Sequence, residues 1–242
     1  MKIHLSLFLF FITTVGPTLQ AQLLDNGGAL VTAAGNPIGS VGIQVEGVDR
    51  VLKDGSTRQS LSMTRVTVVA QTQIIPGINP WIEAGWHDPE LLPGKSNGGF
   101  TWGAGLMLRP MLYPLRSDPT LGPRDWLAII VDAAVRGGSA QADDNSEIEW
   151  MSLEAALGIE WRQVYVGRNN GPIGANGMNA GASILLNNTT AKQGSFDGSS
   201  DQNIGVRFMT GFTFGQHNFL SLEADIFGSS DGRIALVSGL TF

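Results

Sequence analysis

The chain has 242 residues, no cysteine, 32 glycines and a net charge of −6 at pH 7. The missing cysteine excludes a disulfide framework, a thiolate metal site and a lipidated N-terminal cysteine. The acidic balance argues against a nucleic-acid partner, which demands a basic face.

At the start, Lys2 and His4 precede an apolar run over residues 5–15, broken by Gly16 and Pro17. Leu19-Gln20-Ala21 then offers a small residue for cleavage, so residues 1–21 read as a secretory signal peptide cut after Ala21. The run is too short for a helical membrane span, which needs about 20 residues. Residues 22–40 are rich in Gly, Ala and Asn and read as a lead-in. Residues 41–242 read as one large all-β domain. Glycine there exceeds its usual share of about 7%. It is scattered through apolar alternating segments, where it marks bulges, bends and close approach.

Ten alternating segments follow in order, separated by turn signals. They are expected at 41–47, 63–72, 81–87, 100–109, 126–136, 150–161, 164–166, 204–214, 220–227 and 233–242. Phe100, Trp102, Ala104, Leu106 and Leu108 form the clearest apolar face, against Thr101, Gly103, Gly105, Met107 and Arg109. Residues 113–125 hold three prolines and read as a connection, Arg162-Gln163 as a short reversal, and 169–203 as one long polar loop with room for a short strand near 182–186. Misreading the seventh segment or that loop would make the count eight or twelve. With ten strands, the reversals on one side fall at 73–79, 110–124, 162–163 and 216–218. Those on the other fall at 49–62, 88–98, 137–147, 169–203 and 229–232.

The last segment is the most telling. Ile234, Leu236, Leu240 and Phe242 share one face; Arg233, Ala235, Gly239 and Thr241 share the other, since alternate strand residues point oppositely. The terminal Phe with apolar residues at every second position resembles the C-terminal signature of bacterial outer-membrane β-barrels. Ser238 departs from that pattern. The resemblance implies a closed antiparallel transmembrane β-barrel in the outer membrane of a Gram-negative-type bacterium. Its implied partners are outer-membrane lipid and the barrel-assembly machinery acting through the C-terminal strand. Trp81, Trp86, Trp102, Trp126, Trp161, Phe100 and Phe242 lie near segment ends, the level of interfacial girdles. A secreted β-sandwich is the soluble alternative, since it also alternates. Against it, the polar faces carry Gly, Ala, Ser and Thr, which suit a narrow lumen better than open water.

The polar faces collect Glu46, Glu83, Asp132, Glu154, Glu160, Glu223 and Asp225 with Arg65, Arg109, Arg136, Arg207 and Arg233. Arginine pairs with carboxylates through a rigid fork and stays charged. The expectation is a charged interior, filled or narrow, serving a structural or surface-interaction role or passive passage of small solutes.

An enzyme is not expected. His4 leaves with the signal peptide, and His217 falls in a turn. His87, followed by Asp88 and Glu90, is the one candidate base for an outer-leaflet hydrolase, and it reads as a loop or rim residue. No phosphate loop, dinucleotide fingerprint or metal-ligand cluster occurs, so no cofactor or metal is expected. Asp197, Asp201 and Asn203 read as a solvated loop.

Overall fold

The computed structural model describes residues 39–74, 77–91, 96–118, 122–164, 177–214, 218–228 and 231–241. The signal peptide and lead-in up to residue 38, His217 and Phe242 lie outside them. The strands are β1 (Gly39–Asp54), β2 (Thr57–Thr72), β3 (Ile78–Glu90), β4 (Ser96–Asp118), β5 (Gly122–Ala142), β6 (Glu147–Val164), β7 (Gly177–Gln193), β8 (Phe196–Ser200), β9 (Ile204–Phe214), β10 (Asn218–Ile226) and β11 (Gly232–Thr241). Every pairing is antiparallel. Ten strands run in the order β1-β2-β3-β4-β5-β6-β7-β9-β10-β11, and β11 pairs back onto β1 from Ser40↔Thr241 to Asp49↔Gly232. The sheet is a closed barrel, not the two packed sheets of a sandwich.

Most strands run well beyond the lengths that alternation predicts. The expected loop at 49–62 is a continuous hairpin, paired to Asp54↔Thr57 and turned through Gly55 at φ 58°. The expected loop at 137–147 is strand on both sides of a turn at 143–146. In that turn Asn145 takes φ 64°, and the Asp144 carboxylate accepts from the Ser146 amide and hydroxyl. Those bonds hold the Asp144 carboxyl below the ordinary aspartate range. The expected connection at 110–124 is also largely strand. Its prolines cannot donate to a ladder, and the β4–β5 register breaks beside them, between Leu108 and Met111 and between Pro114 and Arg116.

The seventh strand is displaced from its expected place. Arg162 and Gln163 do not reverse the chain; they continue β6, paired to Asn179 and Met178 of β7. β7 lies inside the expected 169–203 loop. Its outward face is apolar only as far as Leu186 and continues with Asn188, Thr190 and Lys192, so beyond the short strand expected near 182–186 the segment reads as loop.

β8 changes the shape of one end. It pairs with β7 through Gln193↔Phe196 to Thr190↔Ser199, and with β1 through Leu52↔Ser200 and Lys53↔Ser199. One strand therefore stands above the ends of β9, β10 and β11, shortening the circumference by roughly two strand spacings, about 10 Å. Both described chain ends, Gly39 and Thr241, lie at the opposite, wider end. The two are called here the distal and terminal ends.

Candidate functional site: the barrel interior

The strand faces are the reverse of a water-soluble core. Ile82, Phe100, Leu157, Ile184 and Ile234 point outward at 63, 61, 59, 64 and 63% exposure, while Glu46, Arg65 and Arg207 are fully buried inside. Large apolar side chains on a closed outer surface far exceed the patches that a soluble monomer exposes. Trp86, Phe100 and Trp102 join this outer face. Trp81 and Trp126 do not form a girdle as expected from their places near segment ends. Both are buried against the interior, because each falls on the inward phase of its strand.

Inside, the charges form a closed cycle. Glu46 of β1 pairs with Arg65 of β2, and Arg65 with Glu83 of β3 at 2.5 Å. Glu83 pairs with Arg136 of β5 at 3.0 Å, and Arg136 with Glu154 of β6 at 2.6 Å. Glu154 pairs with Arg207 of β9 at 2.8 Å, and Arg207 with Asp225 of β10 at 2.8 Å. Asp225 pairs with Arg233 of β11 at 3.0 Å, and Arg233 returns to Glu46 at 3.0 Å. Acid and base alternate all the way round the wall. Asp132 joins through Arg207 at 3.0 Å, and Glu223 through Arg207 and Arg233. Arg207 alone meets four carboxylates. Such fork-to-carboxylate bonds are the strong class of hydrogen bond and fix geometry.

Neutral neighbours fit around the cycle. Thr101 of β4 accepts from Arg65 Nε at 3.1 Å and donates to the Gly137 carbonyl at 3.1 Å. Gly103 faces Glu83: a Cβ there would fall 2.5 Å from Glu83 Oε1. On β7, Asn187 donates to Ser152 at 2.9 Å and accepts from Thr189 at 2.8 Å.

Arg109 and Glu160 do not join the cycle. They pair at 2.9 Å toward the terminal end, where Glu160 also takes Arg162 and Asn179. Toward the distal end, Arg50 pairs with Asp231 at 3.2 Å and stacks 3.8 Å from the Phe227 ring centre. Burial pushes the Asp231 carboxyl above the ordinary aspartate range, although Arg50 pulls it down. Arg162, Asn179, Arg50 and Asp231 escaped the sequence reading because each falls in or beside a segment taken there as loop or turn.

His87 is not a rim residue. It is completely buried on β3. Trp150 Nε1, which can only donate, bonds His87 Nδ1 at 2.9 Å. His87 Nε2 therefore carries the proton and donates to the Ser139 carbonyl at 3.0 Å. Both nitrogens are committed, which leaves no lone pair to abstract a substrate proton. Trp150 also lies over Arg65, 5.2 Å from its guanidinium carbon. Replacing Trp150 by Phe keeps a ring over Arg65 but orphans a buried acceptor. The expected cost is about 1–3 kcal/mol, read as a lower urea midpoint of unfolding.

Two further features bracket the cycle. Distally, Val48, Leu52, Leu61, Met63, Ile148, Trp150 and Phe196 belong to a buried apolar cluster inside the narrowed end. Toward the terminal end lies a cavity of about 240 Å³, walled by Trp81, Met107, Trp126, Met209, Phe212 and Phe219 and floored by members of the charged network. Among the described residues, no group of three or more His, Cys, Asp or Glu has the arrangement of a metal site.

No family model matches the sequence, and no curated protein matches it. Solved structures similar in fold include the transport unit of the autotransporter AIDA-I from Escherichia coli. It is 11% identical over 91% of this chain and 93% of that one, with a TM-score of 0.45. The attachment invasion locus protein Ail of Yersinia pestis is 8% identical over 86% and 99%, with a TM-score of 0.29. The Pseudomonas putida toluene transporter TodX is 7% identical over 92% and 94%, with a TM-score of 0.23.

Proposed function

We propose that this chain is an integral outer-membrane β-barrel with a structural or surface-facing role, and that its resting form conducts no solutes. The observation that carries the reading is the closed cycle of ion pairs from Glu46 round to Arg233. In this reading the cycle closes the lumen, because its side chains touch their neighbours on both sides and each is more than nine-tenths buried, which leaves a solute no open path past them. The apolar cluster at the distal end supports the same reading, since a dry constriction resists water and ions. The exposed apolar band supports a membrane setting. In lipid a closed barrel satisfies every backbone group without a free edge.

In this reading the terminal end faces the periplasm and the distal end the outside. Outer-membrane lipid covers the apolar band. The C-terminal strand carries the signal for the barrel-assembly machinery through Ile234, Leu236, Leu240 and Phe242. The signal peptide leaves after Ala21, so N-terminal sequencing of the exported protein is expected to begin at Gln22.

The deciding experiment is reconstitution into planar bilayers. No steady current is expected from the purified protein, and a large, stable open channel would overturn the reading. Passive passage of small solutes is the second reading, favoured by the cavity on the terminal side of the cycle. Small, stable, concentration-independent unitary steps would support it instead. Fractionation separates both from a secreted soluble protein. Extraction only by detergent, with a gel mobility that shifts on heating, is the expected result.

A further inference from the structure

We infer that the cavity on the terminal side of the charged cycle is a binding site for a small uncharged molecule, an apolar body bearing one hydroxyl or amide. The walls, the balance of the bordering charges and the size of the space carry this together.

Glycines open the space. Trp81 of β3 lies against Gly105 of β4, its cross-strand partner, where a Cβ would overlap the indole. Phe219 of β10 lies across Gly42 and Gly239 at the barrel seam, where a Cβ would fall 3.2 and 2.9 Å from its ring. With both rings laid against backbone, the centre of the lumen stays open over about 240 Å³. Met107, Trp126, Met209 and Val237 complete an apolar, polarizable surround. The lining runs to Ser40 near the start of β1 and to Gln71, Gln163 and Thr213 near the ends of β2, β6 and β9. The space therefore reaches the terminal end of the barrel.

The charges at this space are balanced. Four arginines border it, Arg109, Arg136, Arg162 and Arg207, with three carboxylates, Glu83, Asp132 and Glu223. A fourth carboxylate, Glu160, holds both Arg109 and Arg162. The other bordering charges are also in contact with opposite ones. Glu83 has Arg65 and Arg136, Asp132 has Arg207, and Glu223 has Arg207 and Arg233. An ion of either sign would give up its water for a wall with no counter-charge to spare. An uncharged molecule leaves the pairs as they are.

Ser40, Gln71, Gln163 and Ser221 border the space as neutral donors and acceptors, which suit one hydroxyl or amide. A concave, mainly apolar space with a few convergent polar groups is the usual form of a small-molecule site. A volume of about 240 Å³ lies below the range of roughly 300–1,000 Å³ typical of drug-sized ligands, so the occupant is of fragment size.

The test titrates the full-length protein in a non-ionic detergent with cyclohexylmethanol, cyclohexanecarboxylate and cyclohexylmethylammonium, three molecules of similar shape that differ in charge. Tryptophan fluorescence and heat are followed. Cyclohexylmethanol is expected to bind saturably at one site per chain, at least ten-fold more tightly than either ion. Met209→Trp and Ser221→Phe, which occupy the space from β9 and from β10, should each weaken it at least ten-fold, read by heat. Heat-dependent gel mobility checks that each variant is a closed barrel. Binding of either ion as tight as that of the alcohol, uptake of the alcohol without saturation, or unchanged affinity in either folded variant would each overturn the assignment. The three probes on the unaltered protein decide the case if a variant fails to close. None of these outcomes depends on whether the barrel conducts, so this inference and the proposed function fail separately.

Discussion

Replacing Arg207 by Met is expected to destabilise the barrel by about 3–5 kcal/mol, the cost of removing one partner from a buried ion pair. The site makes the upper part of that range the expectation. Arg207 meets Asp132, Glu154, Glu223 and Asp225, so its loss strips Asp132 of its arginine and leaves the other three sharing Arg136 and Arg233. Arg207→Lys should recover only part of the loss. An ammonium is a point charge and cannot repeat the two-pronged contact with Asp225 at 2.8 and 2.9 Å. A double-mutant cycle with Asp225→Asn separates the pair from the rest of the network. The combined variant should be less unstable than the sum of the single ones, because the second change removes a carboxylate that the first left with Arg233 alone. The measurement is the urea midpoint of unfolding in lipid or detergent, read by the heat-shifted gel band. A loss below about 1 kcal/mol for Arg207→Met would mean that the cycle contributes little to the folded state.

A second large effect is expected at the seam. Gly239 of β11 pairs with Gly42 of β1, the two strands whose union closes the barrel. A Cβ at Gly239 would overlap the Val41 carbonyl oxygen and the Gly42 backbone. Neither can move without breaking the closing ladder, so Gly239→Val should sharply reduce the yield of heat-modifiable barrel in refolding and in cells. Gly47, also on β1 and paired to Ile234 across the same seam, has no heavy atom within 4 Å of where its Cβ would stand. Gly47→Val is therefore the control and should assemble normally. Equal yields from both variants would show that the seam tolerates a side chain at its closest approach.

Much of the interior could be read along the strands because a period of 2 needs no knowledge of the partner. It placed Arg65 opposite Val66, Glu83 opposite Ile82 and Arg233 opposite Ile234, and those phases match the burial of each. Other signals misled for identifiable reasons. Position near a segment end points to an interfacial girdle for Trp126, although its phase on β5 turns it inward. His87 reads as a rim residue because the polar stretch after it resembles a long loop. In the fold β3 continues to Glu90 and carries His87 beneath Trp150. β7 reads as no more than a short strand near 182–186 because its outward face turns polar after Leu186, at Asn188, Thr190 and Lys192, and no local rule separates such a strand from a polar loop.

What the sequence determined by itself is the all-β class, the alternation of most strands and the identity of most charges facing inward. These follow from side-chain direction, a local property of extended chain. What only the tertiary structure decided is which charges meet. Glu46 and Arg233 are 187 residues apart and pair because β11 closes onto β1. The same closure turns rows of charge along separate strands into one cycle and sets Arg109 with Glu160 apart from it. It also brings β8 over the ends of three strands to form the apolar distal end. Register and closure are long-range properties, and contacts across a barrel are fixed only when its last strand meets its first.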